Sequence, residues 1–468
     1  MYSKAIDFDM WSIVFDLYML LFQGSLFDKI REYKHPEYIS CRKSVMRMKE
    51  HNDHLFAVQR RSGNINTTLY WELKFAKSAD ADTEVLQQYE DRSAIAEAAT
   101  MLREGGTVAF PTETVYGLGA DARNTAAVEE VFAAKGRPSD NPLIVHIAER
   151  SALDELVTEV HPTAAALMDA YWPGPLTLVL PVRPGVLSPC VTAGLDTVGV
   201  RMPDHPVALA LLSAAGCPVA APSANRSGRP SPTLASHVMD DLAGYIGGVL
   251  NGGAAGVGVE STVVQILPDG TVAVLRPGGI TTEQLAAVVG TEFVTTEPAP
   301  EVSFADSVAN HSYASLADSA ESEAADPATC THPESSASLS APRAPGMKYT
   351  HYAPRGWLGV VRGSSPQRVA EEAAILLQAA QRNGEITGLL LFEEHRSLYP
   401  AVPAACVLSL GSLSSLEEGA RSLYAALRRF DEAGATYILS EACPYTGLGT
   451  AIMNRLMKAA GGSVIDAG

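Results

Sequence analysis

The stretch GGTVAFPTETVYGLGADARNTAAVEEVFAAKGRPSDNPLIVH, residues 105–146, decides how the rest of the chain is read. Thr107-Val108-Ala109-Phe110 is a short, apolar, partly β-branched run of the kind that makes a buried strand. Pro111-Thr112-Glu113-Thr114 breaks the run with hydroxyls and a carboxylate. From about 125 to 134 the spacing is helical, with Val128, Val131 and Phe132 on one face. The helix is expected to stop at Lys135-Gly136-Arg137-Pro138, where glycine suits a left-handed cap and proline forbids continuation. Asn141-Pro142 then leads into a second strand that ends on His146. Two strand ends and one helix end thus bring Thr114, Lys135, Arg137, Asn141 and His146 within reach of a single cleft.

Working outward, residues 93–102 have helical spacing, and further helices are expected near 151–159, 163–171, 207–215 and 233–242. Strands are expected at 176–180, 197–201, 219–221, 261–266 and 272–275. Their irregular spacing and a hairpin-like Pro268-Asp269-Gly270 turn point to an α/β domain with a mixed sheet rather than a plain doubly wound parallel one. Residues 356–468 return to strand-helix alternation, with strands at 358–361, 387–392 and 437–440 and helices at 367–381, 416–433 and 452–460. That pattern predicts a smaller Rossmann-like α/β domain, but without a Gly-rich dinucleotide fingerprint. Between 297 and 345 Ser, Ala, Pro and acidic residues dominate, too few apolar side chains to offset ordering entropy, so a flexible linker is expected. Residues 1–87, rich in aromatics, Met and basic residues, show no clean alternation and read as an accessory extension, with an amphipathic helix at 10–22.

A chain of 468 residues is long enough for two or three domains with their own cores. The net charge of −18 argues against a general binder of nucleic acid or anionic membrane, while leaving room for a local basic cleft. Six cysteines lie far apart with no C-x-x-C pair, so neither a metal nor a disulfide framework is expected. The apolar run at 10–22 is interrupted by Asp16 and too short to span a bilayer, and it lacks a basic leader, so a cytoplasmic protein is expected.

Lys135 and Arg137 at a helix C-terminus fit simple dipole compensation. They equally fit a polyphosphate clamp, two cations one residue apart on an extended turn. A second polar cluster, Pro222-Ser223-Ala224-Asn225-Arg226-Ser227-Gly228, follows the apolar run at 219–221 directly, and ligands bind at strand ends in α/β sheets. Ser231-Pro232-Thr233 is expected to open the next helix, with Ser at the cap and Pro at the first position. Thr197 and Arg201 flank one strand, and Arg201, at its end, suits a substrate carboxylate. Glu260-Ser261-Thr262 precedes a strand and Arg276 follows one; each reads equally well as a surface residue. His146 taken alone is more often structural than catalytic. There is no G-x-x-x-x-G-K-[ST] loop, which excludes an ordinary P-loop enzyme.

Together, PTETVYGLG (111–119), KGRPSDNPLIVHI (135–147), WPGPLTLVLP (172–181), VGVRMPDHP (198–206), APSANRSGRPSPT (221–233), GVESTVV (258–264) and VLRPGG (274–279) resemble the YrdC-type L-threonylcarbamoyladenylate synthases. HYAP (351–354) and LSEACPYTGLGTAIMNRLMKAA (439–460) resemble the linker and the closing domain of that family's long, two-domain form. The implied organisation is an unmatched extension at 1–87, a YrdC-like twisted mixed sheet with helices at 88–290, a linker at 291–355 with a disordered middle and the HYAP lid, and the Rossmann-like domain at 356–468. The implied reaction joins L-threonine, bicarbonate or carbon dioxide, and ATP into threonylcarbamoyl-AMP and diphosphate. The product would pass to a tRNA threonylcarbamoyl transferase complex, direct tRNA binding being weak or absent.

By the resemblance, Thr114, His146, Arg201, Ala221 and Ser261 hold threonine. Arg137, Asn141, Thr197, Ser223, Ser231, Arg276 and Tyr352 contact ATP. Lys135, Arg137, Ser223 and Asn225 form the catalytic, phosphate-facing wall, and Mg²⁺ is expected on the ATP phosphates, with no metal held by the protein alone. An RNA-binding module using the same concave face is the alternative, against which the net charge and the lack of interleaved aromatic and basic residues weigh.

Overall fold

The helix Thr125–Lys135 starts where Asn124 accepts a hydrogen bond from the Ala127 amide and stops where Gly136 takes φ 61°, a left-handed cap. It buries Val128, Val131 and Phe132, the face expected from their spacing. The computed structural model describes residues 55–59, 65–73, 89–296, 342, 351–400, 402 and 404–468. The expected helix at 10–22 and nearly all of the expected disordered linker lie outside the described residues.

Twelve strands form the first sheet: β1 (Leu55–Gln59), β2 (Ile65–Glu72), β3 (Val108–Phe110), β4 (Gly117–Asp121), β5 (Ile144–His146), β6 (Leu176–Pro181), β7 (Thr197–Arg201), β8 (Val219–Ala220), β9 (Gly248–Asn251), β10 (Thr262–Ile266), β11 (Val272–Arg276) and β12 (Val294–Thr296). Their order is β1-β2-β9-β3-β4-β8-β5-β7-β6-β10-β11-β12. The pairing is mixed, parallel for β5 with β7 and antiparallel for β6 with β7, β4 with β8, and β10 with β11. A hairpin at Pro268-Asp269-Gly270 joins the last pair, as its turn residues predict.

The sheet also recruits β2, which pairs with β9 and buries Trp71, so the domain gathers residues upstream of 88. One core cluster packs Leu143, Leu178 and Val200 under the Pro162–Tyr171 helix through Leu167 and Met168. Another packs Phe110 against the helices Tyr89–Arg103 and Pro206–Ala215.

Three details depart from expectation. The helix expected at 151–159 shrinks to a 3-10 turn, Arg150–Ala152, and the four-residue Leu153–Leu156. The helix expected to open at Ser231 begins at Ala235 with Leu234 as its cap. The carbonyls of Pro232 and Thr233 are taken by the amides of Tyr116 and Ala255, so tertiary pairing holds this segment extended. Cys190 is disulfide-bonded although no other cysteine lies near it in the sequence, while Cys217, Cys406 and Cys443 are free thiols.

The second sheet, β13 (Trp357–Arg362), β14 (Thr387–Leu391), β15 (Cys406–Ser409), β16 (Tyr437–Glu441) and β17 (Val464–Asp466), is parallel throughout, in the order β15-β14-β16-β13-β17. The two domains share a core cluster in which Val115, Val259 and Tyr352 join Leu423, Tyr424, Leu427, Ile452 and Leu456. Buried ion pairs cross the same boundary, Arg428 to Asp241 at 2.8 Å and Arg455 to Glu260 at 2.9 Å.

Candidate active site

Because β3, β5, β7 and β8 end near one another, the polar residues at their ends converge. A single cavity is lined by Thr114, Lys135, Arg137, His146, Arg201, Ala221, Ser223, Asn225, Ser261, Arg276 and Tyr352. Three expected residues are not among its lining. Thr197 starts β7 opposite Pro181, while Arg201 ends β7 opposite His146, so the strand separates them by about 13 Å at ~3.3 Å per residue. Ser231 is buried behind the wall, where its hydroxyl donates to Glu260 Oε1 at 2.6 Å. Asn141 lies beside the cavity, its carbonyl accepting from Arg137 Nε at 3.2 Å. Its side-chain amide, though buried, has no hydrogen-bond partner among the described residues, the condition of a group for a ligand to satisfy.

The cationic wall is built from two segments. Lys135 is 2% exposed, and its Nζ donates to the carbonyls of Ser223 and Asn225, each at 2.5 Å. It therefore ties the helix end to the loop after β8, a role beyond compensating its own helix dipole. Burial, and then the neighbouring Arg137, holds the Lys135 ammonium well below its ordinary range. Arg137 folds over the turn that follows, donating to Pro142 O at 2.9 Å. Within the loop the Ser223 hydroxyl donates to Asn225 Oδ1 at 2.6 Å, and Asn225 Nδ2 donates to the carbonyls of Arg226 and Arg229, each at 2.8 Å. The Ser-x-Asn pair is thus a rigid unit.

The opposite wall centres on Arg201. Its Nη1 donates to Thr114 Oγ1 at 2.9 Å and its Nε to Gly174 O at 3.2 Å, while Glu113 stands 2.6 Å from Nη2. Thr114 is itself set by Thr112, whose hydroxyl lies 2.9 Å away. Beside Arg201, burial and then that guanidinium push the His146 imidazole down to about 3, so it is neutral at pH 7. Arg276 completes the enclosure, its Nη2 donating to Ser261 O at 2.9 Å and Oγ at 3.2 Å.

The linker enters here as well. The Ala353 amide donates to Gly228 O at 2.9 Å, which lays residues 351–354 across the loop after β8. Tyr352 is buried with φ 70°, a conformation rarely held by a non-glycine residue unless its surroundings over-determine it. Its ring sits 5.2 Å from Tyr424, and the Arg455 guanidinium is 5.8 Å from its centroid. Four polar lining residues, Thr112, Ser227, Glu260 and His351, are not among the expected site residues. His351 was visible within HYAP; Glu260 was visible too, but nothing local distinguishes a buried carboxylate from a surface one.

Residues 100–278 match the family described as Telomere recombination, and residues 280–461 match Threonylcarbamoyl-AMP synthase, C-terminal domain. The chain is 50% identical over 371 residues to threonylcarbamoyl-AMP synthase of Bacillus subtilis, covering 79% of this chain and 94% of that protein. The threonylcarbamoyl-AMP synthase of Pyrococcus abyssi is 41% identical over 368 residues, with the same two coverages. The crystal structure of P. abyssi Sua5 complexed with L-threonine superposes with a TM-score of 0.68 at 38% identity, covering 85% of this chain and 99% of that one. The chain belongs to the threonylcarbamoyl-AMP synthase family, in its long two-domain form.

Proposed function

We infer that this chain is a nucleotidyltransferase-type enzyme that converts L-threonine, bicarbonate or carbon dioxide, and ATP into threonylcarbamoyl-AMP and diphosphate. The observation that carries the reading is the enclosure, in one cavity, of the Lys135–Arg137 wall and the Arg201–Thr114 wall facing it. Arg201 offers a fork of donors to an amino-acid carboxylate, and Thr114 and Ser261 offer hydroxyls near it. Lys135, Arg137 and Arg276 offer fixed positive charge to a triphosphate, with the Asn141 amide beside them.

Threonine's amine nitrogen bonds to carbon dioxide and sheds a proton, giving a carbamate. A carbamate oxygen then attacks the α-phosphorus as the bond to the β-phosphate oxygen breaks, and diphosphate leaves with the electron pair. Holding three reactants in line is chiefly an entropic task, which rigid walls perform. Charge building on the phosphates falls where the buried cations already point. His351 and Tyr352 line the cavity, where they would help keep water from a carbamate and an acyl phosphate that both hydrolyse readily.

Mg²⁺ would enter on the ATP phosphates. Bound there, it would supply further neutralisation of phosphate charge. We expect the product to pass to a tRNA threonylcarbamoyl transferase complex, and the protein to work in the cytoplasm. No helix among the described residues is long and apolar enough to cross a membrane. Incubation with ATP, bicarbonate and labelled threonine tests the reading, which expects diphosphate and a threonine-labelled adenylate in equal amounts. Tight RNA binding at physiological salt without ATP-dependent product would replace it with the RNA-binding alternative.

A further inference from the structure

Glu260 is the one acidic residue lining the cavity among the described residues, and both of its oxygens are held from outside the sheet that carries it. It immediately precedes Ser261 and is 7% exposed. The Tyr424 hydroxyl lies 2.9 Å from Oε1 and 2.8 Å from Oε2, and Arg455 Nε donates to Oε2 at 2.9 Å. Both partners belong to the C-terminal domain, on the helices Leu416–Glu432 and Leu448–Ala459. Ser231 donates to Oε1 from the catalytic side. Arg455, fully buried, also donates through Nη1 to Pro277 O at 2.5 Å, one residue after Arg276. One guanidinium therefore grips the start of β10 and the end of β11, the two places from which Ser261 and Arg276 face the cavity. Burial alone would raise the Glu260 carboxyl, but Arg455 and Arg276 outweigh it and hold it ionised, at about 2.

We propose that Glu260 is a positioning residue that makes the C-terminal domain part of the ATP site. The inference rests on the function proposed above. The physical reason is that Arg276 and Arg455 are two buried cations that both act on the Glu260 carboxylate, and a carboxylate shared between buried cations helps both to remain charged. Tyr424 and Arg455 set where that carboxylate stands; Ser231 takes its place from it, and Arg276 takes its own from the adjoining Ser261. Of the residues gathered here that line the cavity, Arg276 and Tyr352 are expected to contact ATP and only Ser261 to contact threonine. Loss of the relay should therefore weaken ATP binding more than threonine binding, whereas a purely structural contact between domains would weaken both alike.

The test is calorimetric titration of the full chain with MgATP and, separately, with L-threonine, alongside thermal denaturation and adenylate formation. Tyr424→Phe removes one hydroxyl while keeping the ring against Tyr352, and Glu260→Gln keeps the volume while removing the charge. Each should weaken MgATP binding about tenfold, the worth of one charge-assisted hydrogen bond, and threonine binding about threefold at most. Arg455→Lys, which keeps the cation, should lie nearer wild type than Arg455→Met. Unchanged MgATP affinity in Tyr424→Phe and Glu260→Gln, or equal loss of both ligands, overturns the proposal, as does a wild-type chain that binds no MgATP. A wild-type chain that binds MgATP yet forms no adenylate overturns the proposed reaction instead, and the affinities still decide this inference.

Discussion

Lys135 carries an ammonium into a site where burial disfavours the charge, and two carbonyls of the loop after β8 hold it there. Replacing it removes a cation from the cavity wall and takes a donor from both carbonyls. Lys135→Met should lower kcat by about 10²–10³, as loss of a fixed charge-stabilising donor does. It should also lower stability by about 1–3 kcal/mol, read from denaturant unfolding. Arg137→Ala should lower kcat comparably, because it removes a second cation from the same wall. Wild-type turnover in both variants would remove these residues from the mechanism. Across the cavity, Arg201→Lys loses the planar fork proposed to hold the threonine carboxylate. The KM for threonine should rise at least about tenfold while the KM for ATP stays within about twofold. Equal changes in both would mean that Arg201 does not sort the substrates.

At the scale of the element, the site depends on where helices and strands stop. Gly136 closes the Thr125–Lys135 helix at φ 61°, and an added Cβ there would meet nothing within 4 Å. Gly136→Ala should therefore cost only the left-handed conformational penalty, ~1 kcal/mol, visible as a shifted unfolding midpoint. Gly278 differs in kind: a Cβ would fall 2.3 Å from Glu260 O and 2.4 Å from Ser261 C. Gly278→Ala should push the β11 end away from Glu260 and Ser261 and abolish most activity, and a fully active variant would contradict that packing.

Long helices with clear apolar faces were legible from spacing, as were strands made of β-branched runs. The strands β4 and β9 were not, because Gly117–Asp121 and Gly248–Asn251 are short, each opens on a glycine, and both take their extended form from neighbours on both sides. The start at Ala235 was hidden for the same reason, since Tyr116 and Ala255 outbid a good capping sequence.

Over the whole molecule, burial keeps several histidines neutral. Besides His146 at about 3, desolvation pushes His205, His237 and His351 down to about 4. The unfolded chain, whose histidines titrate near 6.5, binds protons between about pH 6.5 and 4 that the native protein refuses. Stability is thus complete above pH 6.5 and is lost as pH falls toward 4 and below. Glu260, held at about 2 by Arg455 and Arg276 against its burial, adds a loss of the same sign below its ordinary value of 4.5. The urea midpoint should fall steeply from pH 6.5 to 4, and a flat or rising midpoint would contradict neutral burial. Trp71 of β2 packs over Gly248 of β9, and its indole N–H donates to Glu97 at 3.1 Å. Trp71→Ala should cost about 3–5 kcal/mol of the catalytic domain's stability.

The sequence by itself determined the α/β class, the mixed sheet, the second parallel domain and eleven residues of the shared cavity, because these follow from local periodicity and from motifs whose spacing survives folding. Only the tertiary structure decided that Thr197 stands at the far end of its strand, that Ser231 caps no helix, and that Glu260 is a buried meeting point of two domains. A residue's type and its neighbours in the chain do not state what will pack over it. Arg455, 195 residues beyond Glu260, supplies the charge that determines what that carboxylate is for.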